Sequence, residues 1–389
     1  MPGRLRTYLD WNATAPLLAA AREAMVTALD LSGNPSSVHG EGRAARAVID
    51  GARRDVAALV EADAAHVTFA SGATEAANMV LTPEFRMGRT PLKVGKLYVS
   101  GIEHPAVREG GRFEKEQVVE IPVTHAGMVD LAALEALLEA HDAASGLPMV
   151  AVMLANNETG IIQPVRAVAE IVRKRGGLFV VDAVQAAGRL PLSIGEFDAD
   201  FMILSAHKLG GPKGGGALVS RGEVLMPKPL IRGGGQEKGH RSGTENVAAL
   251  AGFAAAARAA QDELAARNER IATLRDRMEE RMAALAPDLI IHGRGMARLS
   301  NTTFFSLPGL KSETGQIAFD LEGIALSAGS ACSSGKVGAS HVLTAMGFDA
   351  ALGGLRVSLG PTTAEGDVEQ FLEAFARIAA RRRQGVAAA

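Results

Sequence analysis

The segment with the most specific chemistry is Ser205-Ala206-His207-Lys208, followed by Leu209-Gly210-Gly211-Pro212-Lys213-Gly214-Gly215-Gly216. The apolar run Phe201 to Leu204 delivers a serine, a histidine and a lysine into a loop too rich in glycine for regular structure. Lysine is the side chain that condenses with an aldehyde to form a Schiff base, and partial burial tunes an amine for that work. Ser205 and His207 can hold a phosphate. A surface glycine loop with solvated lysines has the same composition. Lys213 is a rival to Lys208, weaker because it lies within the glycine run, past the strand end.

Five further segments carry reactive or binding side chains. In Val180-Val181-Asp182-Ala183-Val184-Gln185 an acid ends an apolar strand, where ligands gather in open α/β sheets. Asp182 there can keep a pyridinium nitrogen protonated, as in pyridoxal-phosphate (PLP) enzymes, or can simply cap the next helix. Ser71-Gly72-Ala73-Thr74-Glu75-Ala76-Ala77-Asn78 follows a strand. Its small residues and the helix start suit an anion, and suit a plain capped turn equally well. His104, in Ser100-Gly101-Ile102-Glu103-His104-Pro105, follows another strand end and can stack on a ring or carry protons. The single cysteine, Cys332, lies in Ala328-Gly329-Ser330-Ala331-Cys332-Ser333-Ser334-Gly335. Small polar neighbours argue against a packed core site, and exposure is what a nucleophilic thiol needs. Arg356 alternates with apolar residues in Leu355-Arg356-Val357-Ser358-Leu359. An arginine inside a strand pairs with an acid or forks a carboxylate.

The elements that must position these residues read as α/β. Short apolar runs at Val67–Ala70, Lys96–Val99, Met149–Leu154, Leu178–Val181 and Phe201–Leu204 predict strands, several of them buried on both faces. Amphipathic stretches at Ala44–Val60, Leu131–Ala140 and Val165–Arg175 alternate with them, which predicts a mostly parallel wound sheet. Alanine and Glu/Arg pairs predict helix throughout about Asn246 to Ala286. Beyond it, strands at Thr302–Leu307 and Leu355–Leu359 and a helix ending near Arg383 read as a smaller α/β domain. The expected division is residues 15–260 as a large domain, and residues 1–14 with 261–389 as a small domain carrying the cysteine loop.

Composition narrows the function classes. The 389 residues carry a formal net charge of -2 and are 47% apolar, ample for a large core and no argument for nucleic acid or an anionic membrane as partner. Basic clusters at Arg173-Lys174-Arg175 and Arg381-Arg382-Arg383 suit solvated helix ends. No apolar run has the length of a membrane span and the first ten residues lack a signal-peptide core, so a cytoplasmic protein is expected. One cysteine excludes an internal disulfide and a cysteine-cluster metal site. The nine histidines lack HExxH-type spacing, so no metal is expected.

In order along the chain, these pieces resemble the cysteine desulfurases of the nitrogen-fixation and iron–sulfur-assembly type, in the class V aminotransferase group of fold-type I PLP enzymes. The likeness runs from Tyr8-Leu9-Asp10 through Asn34-Pro35-Ser36-Ser37-Val38-His39 to Ser358-Leu359-Gly360. Its most specific pieces are those at Ser71, Ser205 and Gly329, with Asn156-Asn157-Glu158-Thr159-Gly160 and Arg241-Ser242-Gly243-Thr244. The resemblance implies that Lys208 carries PLP covalently, Asp182 pairs the pyridinium nitrogen, Gln185 meets the ring hydroxyl and His104 stacks on the ring. It implies that Ala73, Thr74, Ser205 and His207 bind phosphate, with Thr244 arriving from the partner of a homodimer. Asn157 and Arg356 would hold substrate, with help from Asn34, and Cys332 would take the sulfur of L-cysteine as a persulfide, releasing L-alanine. The persulfide would pass to an acceptor such as an iron–sulfur scaffold, or serve tRNA thiolation. A selenocysteine lyase shares this chemistry, and a class V aminotransferase would need Lys208 and Asp182 but not Cys332. The cysteine context resembles the subgroup with a longer, mobile loop. Two departures stand out: Trp11 occupies a place usually held by a smaller residue, and the stretch between Cys332 and Arg356 is slightly short.

Overall fold

The computed structural model describes residues 6–262, 264–329 and 339–387. Cys332 lies outside the described residues. The first strand, β1 (Thr7–Tyr8), is followed by those of a nine-stranded sheet: β2 (Val67–Ala70), β3 (Glu84–Met87), β4 (Thr90–Ser100), β5 (Val118–Ile121), β6 (Leu147–Met153), β7 (Leu178–Asp182), β8 (Phe201–Ser205), β9 (Gly216–Ser220) and β10 (Leu225–Pro227). Its order is β10-β3-β4-β6-β7-β8-β9-β2, with β5 beside β4. β4, β5, β6, β7 and β8 pair in parallel, whereas β9 runs antiparallel to both β8 and β2.

Continuous apolar runs form the central strands because both faces are covered. Val150 and Val152 enter one core and Met149 and Ala151 the other; Phe179 with Val181, and Leu178 with Val180, divide the same way. Side chains alternate across a strand, so a strand between two helical layers must be apolar at every position. Helix Gly40–Leu59 shows the matching rule. His39 caps it by accepting from Gly42 N, and Ala45, Ile49, Ala52 and Val56 form the buried stripe.

A second sheet holds β11 (Ile290–His292), β12 (Thr302–Ser306), β14 (Ser327–Ala328) and β15 (Leu355–Ser358), with β13 (Ile324–Ala325) preceding β14 in the chain. It runs antiparallel in the order β11-β12-β15-β14. β1 pairs in parallel with β13, and Asp10 bridges to Ser358, so the N-terminal strand joins elements more than 300 residues away. Leu9, Met278, Phe305, Phe319, Phe371 and Phe375 share one core there, with Phe319 and Phe371 stacked at 5.4 Å.

The helix expected over Asn246 to Ala286 is two helices, Val247–Gln261 and Leu264–Leu285. Asp262 turns out to be extended, and Arg267 donates to the carbonyls of Ala259, Ala260 and Asp262 left open at that end. Residue-by-residue propensity is blind to such a tertiary cap. The second basic cluster also differs from expectation. The last helix runs Glu365–Ala387, past the cluster, and Arg382 is tied to Asp288 and to the Pro308 carbonyl. Among the described residues no helix is long and apolar enough to cross a membrane.

Candidate active site

Strand direction gathers the reactive segments. β6, β7 and β8 are parallel, so Met153, Asp182 and Ser205 end at one edge of the sheet. β2 runs antiparallel to β9, as β8 does, and Ala70 and Ser205 both sit opposite Gly216. The Ser71 turn and the Ser205 turn are thereby side by side. A Cβ on Gly216 would lie 2.5 Å from the carbonyl carbon of Gly72, so only glycine permits that approach.

A cavity of about 180 Å³ opens at this edge. Lys208, Asp182, Gln185 and His104 line it. Ala73 and Thr74, the first residues of helix Ala73–Val80, form one end with Ser205 and His207, and Asn157 completes the wall. Lys208 Nζ donates to the carbonyls of Asn12 (2.7 Å) and Ala13 (2.9 Å), which hold the amine in place. Lys213 is exposed and does not line the cavity.

Burial sets the charges. Asp182 is fully buried and its pKa rises to about 6, held back by the Val184 N–H bond and by Lys208. Its Oδ1 accepts from Val184 N at 2.9 Å, so the residue caps the next turn and faces the cavity at once. Burial, then Lys208, His341 and Arg356, lowers His104 to about 4. The ring is therefore neutral at pH 7. Its Nδ1 accepts from Ala106 N at 3.1 Å, which leaves the proton on Nε2. His207 is likewise lowered to about 4 by burial and the two lysines, and its Nδ1 meets Thr14 Oγ1 at 3.1 Å.

Arg356 lies on β15 behind Asn157. Its Nη1 donates to the Asn157 carbonyl at 2.7 Å and its Nη2 to Asp10 Oδ1 at 3.0 Å. Arg356 Nε and Asn157 Oδ1 are both buried without a hydrogen-bond partner. Two expected residues lie elsewhere. Asn34 is exposed and caps its own loop through Ser36 N; Thr244 lines a separate cavity with Arg241 and Glu245.

Several residues at the site were not singled out by sequence reasoning. Asn12 O accepts from both Lys208 and Gln185, and Asp10 is the counter-ion of Arg356. Both belong to an N-terminal segment nearly 200 residues from Lys208, and no spacing rule links such positions. Glu103, next to His104 in the chain, is fully buried, bound by Ser100 Oγ and Met153 N, and burial raises it to about 8. Glu158 is fully buried too and rises to about 7 through burial, opposed by Ser340 and Arg356. Adjacency in the Glu103-His104 and Asn157-Glu158 pairs was the one available signal.

Comparison with known proteins shows the family. The aminotransferase class-V model matches residues 7–371. This chain belongs to the aminotransferase class-V family. Within the family, it is 38% identical to an IscS-like cysteine desulfurase of Mycobacterium tuberculosis, covering 98% of both chains. It is 39% identical to a cysteine desulfurase of Cereibacter sphaeroides, covering 96% of this chain and 95% of that protein. The X-ray structure of a NifS-like protein from Rickettsia africae superposes with a TM-score of 0.85 at 33% identity, covering 96% of this chain and 99% of that one. The fold is that of the NifS-like, fold-type I PLP enzymes.

Enzymes of this family depend on PLP. The residues present suit it. A lysine and a buried carboxylate lining the cavity and a helix start beside two phosphate-binding side-chain types match the aldehyde, ring nitrogen and phosphate of that molecule. The unpartnered Asn157 Oδ1 and Arg356 Nε supply an acceptor and a donor, respectively, next to it. Trp11, the departure noted in the sequence, is buried with its ring against Gly360, and it lines a second cavity of about 260 Å³ on the other side of Lys208. That larger space lacks Asp182, His104, Thr74 and His207.

Proposed function

We propose that this protein is a PLP-dependent cysteine desulfurase that takes sulfur from L-cysteine, releases L-alanine and carries the sulfur as a persulfide on Cys332. The observation that carries the reading is the single cavity in which Lys208, Asp182 and His104 meet a helix start, with Arg356 and Asn157 beside it. When bound, PLP supplies an aldehyde that captures an amine and a pyridinium ring that stabilises negative charge at the amine-bearing carbon.

The chain's own residues then have definite roles. Lys208 Nζ holds the cofactor and, once released, takes the α-proton of the substrate. Asp182 holds a proton on the ring nitrogen. His104 covers one ring face and offers Nε2–H as a proton carrier. Ala73, Thr74, Ser205 and His207 hold the phosphate, and Thr244 does so for the partner subunit of a homodimer. Gln185 meets the ring oxygen. Arg356 receives the substrate carboxylate through its open Nε edge while Asp10 and the Asn157 carbonyl keep the guanidinium in place. Asn34, exposed as it is, joins only if the partner subunit folds over it.

The Cys332 thiolate attacks the substrate sulfur. The S–S bond forms as the C–S bond breaks, the bonding pair stays with the three-carbon fragment, and that fragment takes up protons and leaves as alanine. Downstream, the persulfide suits delivery to an iron–sulfur scaffold or a thiolation enzyme in the cytoplasm. The proposed division assigns residues 15–260 to PLP and residues 1–14 with 261–389 to a small domain carrying Cys332.

The test is incubation with L-cysteine and a dithiol, followed by measurement of alanine and sulfide. Equal amounts of both are expected. Amino transfer to a 2-oxo acid without sulfide would favour the aminotransferase reading and overturn this one.

A further inference from the structure

Arg189 is a buried arginine that no established role explains. It lies four residues past Gln185, behind the cavity wall. Its Nη1 donates to the Gln185 carbonyl at 2.7 Å and to Gln185 Oε1 at 3.2 Å. Its Nη2 donates to the carbonyls of Trp11 at 3.4 Å and Lys208 at 3.3 Å. Among the described residues these acceptors are neutral oxygens, and no acid pairs with it. Burial, then Arg356 and Arg267, lowers its pKa to about 10, so it stays charged at neutral pH.

This contact fixes the direction of the Gln185 amide. Gln185 Nε2 donates to the Asn12 carbonyl at 3.0 Å. A guanidinium only donates and a backbone carbonyl only accepts. Turning the amide over would set N–H against N–H at Arg189 and oxygen against oxygen at Asn12. Gln185 therefore holds Oε1 towards Arg189, and the polar group it has left for the cavity is the second Nε2 hydrogen. The cavity wall between Asp182 and Lys208 is thus a donor. In PLP the ring carbon beside the aldehyde-bearing carbon carries a phenolic oxygen. With the aldehyde at Lys208 and the ring nitrogen at Asp182, that oxygen is an acceptor on the ring edge next to the lysine.

We propose that Arg189 is a positioning residue: it locks Gln185 as a hydrogen-bond donor to the phenolic oxygen of the cofactor, and its unneutralised charge favours that oxygen as an anion. This rests on the reading that PLP binds at Lys208. Both the N–H donation and the positive charge stabilise the deprotonated chromophore. Removing them raises the pH at which the visible absorbance titrates.

The experiment is a pH titration of the visible absorbance of the purified holoprotein, with PLP retention followed by dialysis. Arg189→Met is expected to raise the midpoint by about one unit, a tenfold change in the protonation equilibrium. Arg189→Lys, which keeps a charge and a donor, should restore most of the shift. Gln185→Glu keeps the acceptor for Arg189 but removes the donor to the cavity; it should raise the midpoint at least as far, and it serves even where Arg189→Met fails to fold. A wild-type chromophore whose midpoint is unmoved in Gln185→Glu, or in folded Arg189→Met, would overturn this inference alone. A wild-type protein with no chromophore would overturn the cofactor reading and this inference with it.

Discussion

Glu103→Gln should stabilise the protein, and increasingly so as pH rises. Glu103 has no exposure; its Oε1 accepts from Ser100 Oγ at 2.5 Å and from Met153 N at 2.9 Å, while Oε2 is buried without a partner. Burial, and then the charge of Asp182, raises its pKa from 4.5 to about 8. The folded protein therefore holds a proton on Glu103 that the unfolded chain loses near pH 4.5. Folding that must take up a proton becomes harder as pH rises, until the folded group itself ionises. The cost is absent below pH 4.5, and it reaches about 3 kcal/mol at pH 7 and about 5 kcal/mol above pH 8, from 1.36 kcal/mol per unit. Glutamine keeps the acceptor for Ser100 and Met153 and carries no such proton. Paired urea titrations of wild type and Glu103→Gln at pH 5, 7 and 8.5, at fixed protein and PLP concentration, measure the difference. A gap that widens by about 3 kcal/mol or more from pH 5 to 8.5 is expected from this linkage. A gap that is flat or shrinks with pH would refute the reasoning that Glu103 is protonated in the fold.

Three further outcomes follow from other parts of the structure. Lys208→Ala should lose the borohydride-reducible cofactor adduct and Lys213→Ala should keep it, read by mass spectrometry of the reduced protein; the reverse pattern would assign the wrong lysine. Gly360→Ala would bring a Cβ within 1.9 Å of Trp11 Cδ2, so it should lower stability by about 1–3 kcal/mol in a denaturant titration, and Trp11→Val should relieve most of that loss. Sedimentation at assay concentration should show a homodimer, because Thr244 lies apart from the Lys208 cavity of its own chain; a fully active monomer would contradict its proposed role.

The sheet was legible because its central strands must be apolar on both faces, a pattern that survives without homologues. The Ser205, Asp182, Ser71 and His104 segments were legible because each ends a strand or begins a helix, where side chains of a parallel sheet face a common edge. What escaped was long-range or tertiary. Asn12 and Asp10 reach Lys208 and Arg356 only because β1 joins the second sheet, and nothing local in Tyr8-Leu9-Asp10 reports that pairing. The break at Asp262 depends on the Arg267 side chain reaching back over the helix end. The burial of Glu103 and Glu158 is a property of the packed molecule and leaves no local mark in the sequence. The contact of Arg189 with Gln185 became visible only with the side chains in place.

The proposed sulfur transfer runs directly from substrate to Cys332 and depends on Lys208 for the release of alanine. The most direct measurement gives the holoprotein a stoichiometric amount of L-cysteine without reductant, traps thiols with an alkylating agent and maps the peptides by mass spectrometry. One added sulfur is expected on the Cys332 peptide of the wild type, with an equal amount of alanine. Neither is expected in Lys208→Ala, and no protein-bound sulfur in Cys332→Ser. Cys332→Ser that makes alanine and sulfide at the wild-type rate, or a wild type that makes them without ever loading Cys332, would contradict it.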